Sequence, residues 1–185
     1  REKGEVAEAI YHANRLDWGK GVKEWVEEFK KALELSCYDE CRVLLEIRNE
    51  LVIQSDFWLG NVSKSEADYL ETLAQYQKAE KEYLEAISSY NQALNRAPDD
   101  IIVSNNKGLA LAALGDLKAG LSQHQQAQNY YTQAIESYNQ ALNRAPDDIS
   151  AHNNKGLALK RLGDLQVGLS QHQQAQNSYT QAIES

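Results

Sequence analysis

The chain has 185 residues, 42% hydrophobic and 25% charged, with 27 acidic against 19 basic side chains and a formal net charge of −8. A mean hydropathy of −0.62, with no apolar run of about 18 residues, excludes a helical membrane span. Residues 1–100 carry 13 basic and 21 acidic side chains, and residues 101–185 carry 6 of each. The first part therefore repels nucleic acid and anionic membranes and the second does not attract them, so neither is an expected partner.

Nothing in the sequence reads as a signal peptide, which leads us to expect a cytoplasmic protein. The chain has no methionine and its pattern breaks off at Glu184-Ser185, so we expect a piece of a longer protein, with any catalytic domain outside it. The first element, Glu5-Val-Ala-Glu-Ala-Ile-Tyr-His12, loosely resembles the arm that leads into helical repeats in bacterial STAND-type signalling ATPases. That resemblance implies a sensor and oligomerisation arm of a larger effector as an alternative function. No GxxxxGK(S/T) phosphate loop occurs in the chain; Gly19-Lys20 lacks the upstream glycine and the Ser/Thr.

Val22, Trp25, Val26, Phe29, Ala32 and Leu33 make one helical face over residues 21–35. Residues 36–41 read as a turn into a second helix carrying Val43, Leu44, Ile47 and Leu51. Cys37 and Cys41 are too few for a disulfide framework or a four-ligand zinc site, and their i, i+4 spacing suits packing as small apolar side chains. Trp18, Trp25 and Trp58 all fall in this divergent region. A capping core explains them, because terminal repeats are atypical; an exposed aromatic hot spot is the alternative. Residues 1–54 are thus predicted to form a divergent helical hairpin.

From residue 55 onward the chain repeats. Ser-Tyr-Asn-Gln-Ala-Leu-Asn-Arg-Ala-Pro-Asp-Asp stands at 89–100 and again at 137–148, and residues 89–136 match 137–184 at 40 of 48 positions. Tyr83, Ala86, Tyr90 and Gly60 keep the same phase one period earlier, so a decayed copy begins near Ser55. The expected units are 55–100, 101–148 and 149–185, the last truncated. Apolar residues at 131, 134, 135, 138, 141 and 142 form a stripe of helical period. Pro98 and Pro146 end one helix, and the Asp pairs after them cap the next. The turn inside each unit has three candidates: Gly115-Asp116, Gly120-Leu121-Ser122 and Asn129. The second shares the extra length between both helices, with Gly120 closing one helix, Ser122 as N-cap and Gln125 completing a capping box.

Gly108, Leu111, Ala134, Tyr138, Ala141 and Pro146 resemble the signature positions of a tetratricopeptide (TPR) repeat. Tyr38-Asp-Glu-Cys41 is similar to the start of its second helix, with Cys41 in the small-residue place. The departure is length, since a TPR unit has about 34 residues and this one has 48. The resemblance implies an all-α, right-handed superhelical solenoid of antiparallel hairpins with lengthened helices. It also implies a protein-binding scaffold that holds a peptide or protein partner in a concave groove of first helices.

The two close copies differ at 102/150, 103/151, 104/152, 112/160, 113/161, 118/166, 119/167 and 130/178. Positions 102, 112, 113 and 119 lie within about 120° on a helical wheel. Diversified ligand contacts on a fixed scaffold, or drift on an exposed face, account for this equally well. The groove candidates are Ile102, Asn105, Asn106, Leu109, Ala112 and Ala113 in one copy and Ser150, Asn153, Asn154, Leu157, Lys160 and Arg161 in the next. His124 and His172 repeat with no Cys, Asp or Glu within a turn, so polar surface is expected of them, with no metal and no cofactor. No nucleophile–base pair or paired carboxylates point to an enzyme. A structural spacer is a further alternative, and the truncated last repeat offers a place for self-association.

Overall fold

The computed structural model describes residues 3–184. The described residues form helices and turns only: α1 (Lys3–Leu16), α2 (Trp18–Glu34), α3 (Tyr38–Arg48), α4 (Asp56–Thr72), α5 (Tyr76–Arg96), α6 (Ile101–Gly120), α7 (His124–Arg144), α8 (Ile149–Gly168) and α9 (His172–Glu184). Helix ends fall where local chemistry puts them. α7 stops at Arg144, two residues before Pro146, and Asp148 then caps α8 by accepting from the Ala151 N–H at 2.8 Å. Asp100 caps α6 in the same way through Val103, at 3.0 Å.

The chain reverses after α2, α4, α6 and α8 by one repeated device. Ser36, Ala74, Ser122 and Ser170 take the left-handed conformation, with φ of 56°, 56°, 59° and 60°. Around Ser122 its own N–H donates to the Ala119 carbonyl at 2.9 Å, and the Gln123 N–H donates to Lys118 at 2.8 Å. This is a Schellman closure, which satisfies carbonyls that the helix end leaves open. The same bond pair recurs at the other three turns. The turn thus lies at the Gly120–Ser122 site, but its chemistry differs from the expected one. Gly120 is the last helical residue, Ser122 supplies the positive φ, and Gln123 is the N-cap without a side-chain bond.

Compact packing divides the chain within α5 into two units, Arg1–Ser89 and Tyr90–Ser185. In the first, Trp25 is fully buried, stacks on Phe29 at 4.7 Å and donates its indole N–H to the Leu44 carbonyl at 2.8 Å. Trp18 and Trp58 are partly buried against the same cluster, so the tryptophans build a core. Cys41 is also fully buried, which pushes its thiol pKa up to about 11. The expected hairpin is α2–α3; α1 precedes it, joined through Asp17 alone, and packs on both helices. Asn14 secures that corner. Its amide donates to the Trp18 and Val52 carbonyls, each at 3.1 Å, and its oxygen accepts from the Val52 N–H at 2.8 Å.

In the second unit α6 pairs with α7 and α8 with α9, while α7 and α6 both pack on α8. Small residues face large ones across each hairpin. A Cβ placed on Gly108 would lie 2.4 Å from the Tyr138 ring, and one on Gly115 would lie 2.7 Å from Tyr131. Leu111, Ala134, Tyr138 and Ala141 are at most 1% exposed.

Gly108→Ala is therefore expected to destabilise by about 1–3 kcal/mol, although Ala is the better helix former. Gly120→Ala meets nothing within 4 Å and should be neutral or slightly stabilising; thermal melts of both variants check the sign. Ala74→Gly and Ser122→Gly relieve left-handed strain and should each stabilise by about 0.5 kcal/mol, the gain being reduced by the greater freedom of glycine in the unfolded chain. Chemical denaturation measures that gain.

Candidate functional site

The sequence candidates lie on the first helices of the second unit. On α6, Ile102 is 64% exposed, Asn105, Asn106, Leu109 and Ala113 are half-buried, and Ala112 is buried. On α8, Ser150, Asn153, Leu157 and Lys160 are exposed, and Asn154 and Arg161 are half-buried. The α6–α8 packing brings part of this set together, and the Asn154 amide donates to the Asn105 side-chain oxygen at 3.1 Å. The amide seam is thus partly engaged with itself, and each amide retains hydrogen-bonding capacity beyond that single bond.

The two basic candidates have internal partners. The Arg161 guanidinium reaches back from α8 to the Asp116 carboxylate at 2.8 Å, and the Lys160 ammonium meets Asp164 one turn along its own helix at 2.8 Å. Both carboxylates already hold a tyrosine from the second helix of their hairpin. Tyr131 donates to Asp116 and Tyr179 donates to Asp164, each at 2.7 Å. The first unit repeats the arrangement, with Tyr83 2.8 Å from Asp68 and Lys64 2.8 Å from the same carboxylate. Asp68, Asp116 and Asp164 are spaced by 48 residues, as are the three tyrosines. Each of the three hairpins from α4 to α9 therefore carries a tyrosine–aspartate clamp with one cation on its aspartate, and in the first of them Tyr83 also lies 2.7 Å from Glu71. Where Ala112 replaces the lysine of the other copies, Arg161 of α8, the first helix of the next hairpin, takes over. Sequence reasoning gave Tyr83, Tyr131, Asp116, Lys160 and Arg161 other roles and missed their pairing, although the shared spacing of the Asp and Tyr positions signalled it.

The differing positions are not confined to an outer face. Val103 and Ala151 are both buried, as are Lys118 and Gln166. Gln166 accepts a hydrogen bond from Ser178, itself a differing position, at 2.8 Å. Part of the variation between copies thus repacks the interior.

The electrostatics of the two clamps diverge. Burial raises the Asp116 pKa, against the lowering effects of the Tyr131 hydrogen bond and Arg161. The hydrogen bond from Lys160, followed by that from Tyr179, lowers Asp164. Burial first, then the bond to Asp116, raises the Tyr131 phenol, so it stays protonated and donates. Carboxyl-resolved NMR titration should find Asp116 above and Asp164 below the ordinary aspartate range. Arg161→Gln should move Asp116 further up and leave Asp164 in place.

Comparison with known families agrees with this geometry. The model described as Tetratricopeptide repeat matches residues 65–128, and the model described as TPR repeat matches residues 127–163. No curated protein matches the chain. The two family matches run without a gap from α4 into α8, over more than half of the 185 residues. With paired helices closing small residues against tyrosine in the register of the signature, the chain belongs to the tetratricopeptide repeat family.

Proposed function

We propose that this chain is a protein-binding scaffold without chemistry of its own, holding a peptide or protein partner in a groove on the first helices. TPR repeats generally mediate protein–protein interaction. The observation that carries the reading here is the α6–α8 face. Ile102 and Leu157 stand 64% and 47% exposed beside the Asn105–Asn154 amide pair. Covering either side chain with an apolar partner group is worth about 1–2 kcal/mol. The adjacent amides supply donors and acceptors for the main chain of a bound segment.

The clamp residues narrow the proposed contact set. Arg161 and Lys160 are engaged with aspartates and Ala112 is buried, so these three leave the proposed contact set and the other nine candidates stay in it. Arg161→Glu is a poor probe for the same reason: it sets a carboxylate against Asp116 and disturbs the scaffold as well as the face.

Affinity capture with the double variant Ile102→Asp/Leu157→Asp tests the reading, since both positions are exposed and the fold should melt as wild type. At least a tenfold loss of co-purifying partners is expected. Equal recovery by wild type and variant would sink the groove assignment.

A further inference from the structure

A second surface lies in the first unit, on the side chains that α1, α2 and α3 turn toward one another. A cavity of 790 Å³ opens there. Its apolar lining is Val6, Ala7, Ala9, Ile10 and Leu44, of which Ala7, Ile10 and Leu44 are at most 4% exposed. The charged residues around it are Glu5, Glu24, Glu28, Glu40 and Lys31, four carboxylates against one ammonium. Helical periodicity builds the trough. Residues 5, 6, 9 and 10 share a face of α1, residues 24, 28 and 31 share one of α2, and residues 40 and 44 share one of α3.

We propose that this trough is a docking site for a cationic amphipathic peptide segment of a partner protein, distinct from the α6–α8 face. Val6 and Ala9 carry the accessible apolar surface over a buried floor of Ala7, Ile10 and Leu44 and take small apolar anchors, and the carboxylates around them require Lys or Arg beside those anchors. An anionic ligand is repelled. A bare metal ion has no use for the apolar lining, and among the described residues no group of three His, Cys, Asp or Glu is placed to hold one. The cavity falls within the range of about 300–1,000 Å³ typical of ligand sites. Among the described residues, two of the carboxylates pair with lysines of their own helix, Glu24 with Lys20 at 3.9 Å and Glu28 with Lys31 at 3.2 Å. Those pairs are exposed and individually weak, so an incoming cation displaces them at small cost.

Fluorescence anisotropy with the full chain and a fluorescein-labelled Lys-Leu-Leu-Lys-Lys-Leu-Leu-Lys peptide tests the proposal. The peptide should bind saturably, more weakly as salt rises, while its Glu-for-Lys counterpart should not bind. Glu24→Gln/Glu28→Gln/Glu40→Gln should weaken binding at least about tenfold. Ala9→Arg, at an exposed position, should do the same by placing a cation in the trough, and it keeps the test valid if the triple variant fails to fold. Ile102→Asp/Leu157→Asp should leave this binding unchanged. Full affinity in both trough variants, or equal binding of the acidic peptide, would overturn the assignment. So would loss of binding through the α6–α8 variant alone. A wild-type dimer that binds no peptide and that the trough variants dissociate would replace the peptide with a second copy of the chain.

Discussion

The repeat depends on how closely its two helices approach each other. At Gly108 and Gly115 the backbone of α6 lies so near α7 that only tyrosine rings fill the space between them, with no room for even a methyl group on α6. The remaining requirements follow in order. A ring in that gap is buried, but its hydroxyl has to be satisfied, because an unpaired buried donor costs about 1–3 kcal/mol. Asp116 answers Tyr131, and that half-buried carboxylate in turn needs a cation, which Arg161 supplies. One small residue on the first helix thus commits a ring, a carboxylate and a basic group, the last from a neighbouring hairpin.

The divergent first hairpin solves the same packing problem with the sizes exchanged. Counted back from the left-handed turn residue, Val22, Trp25 and Phe29 of α2 stand where α6 carries Gly108, Leu111 and Gly115. Counted forward, Leu45 of α3 stands where α7 carries Tyr131. The bulk comes from the first helix instead of the second. Lys30 occupies the place of the clamp aspartate, consistently, since no tyrosine hydroxyl is present there to be held. What stays constant is the small residue five positions after each turn: Cys41, Ala79, Ala127 and Ala175 are all at most 2% exposed.

This exchange explains which features were legible in the sequence. The 48-residue period, the proline stops, the aspartate caps and the signature positions follow from local chemistry and are visible in one dimension. The left-handed serines were harder to see, because the reading looks for glycine at such a position and Gly120 stood two residues away. The role of Arg161 was hidden for a different reason. Its carboxylate lies 45 positions earlier, on a helix that comes alongside only after the hairpins stack, so a basic side chain on a variable face passed for a ligand contact. The α1–α3 trough is likewise assembled from three faces, none of which is notable alone.

The clamp also limits what duplication of this unit can change. Lys160 neutralises Asp164 within one helix, as Lys64 does Asp68, so such a hairpin carries its own counter-charge. The middle hairpin does not, because Ala112 has removed its lysine, and it borrows Arg161 from the next copy. Positions 112/160 and 113/161 are therefore coupled: a copy with Ala at the lysine position needs a neighbour with a long cation one position further along. A self-neutralised hairpin can be exchanged without regard to its neighbour, whereas a borrowed counter-charge ties two consecutive copies together. Free variation on the first-helix face is left to positions such as 102/150, where Ile102 and Ser150 are exposed and neither supports the clamp.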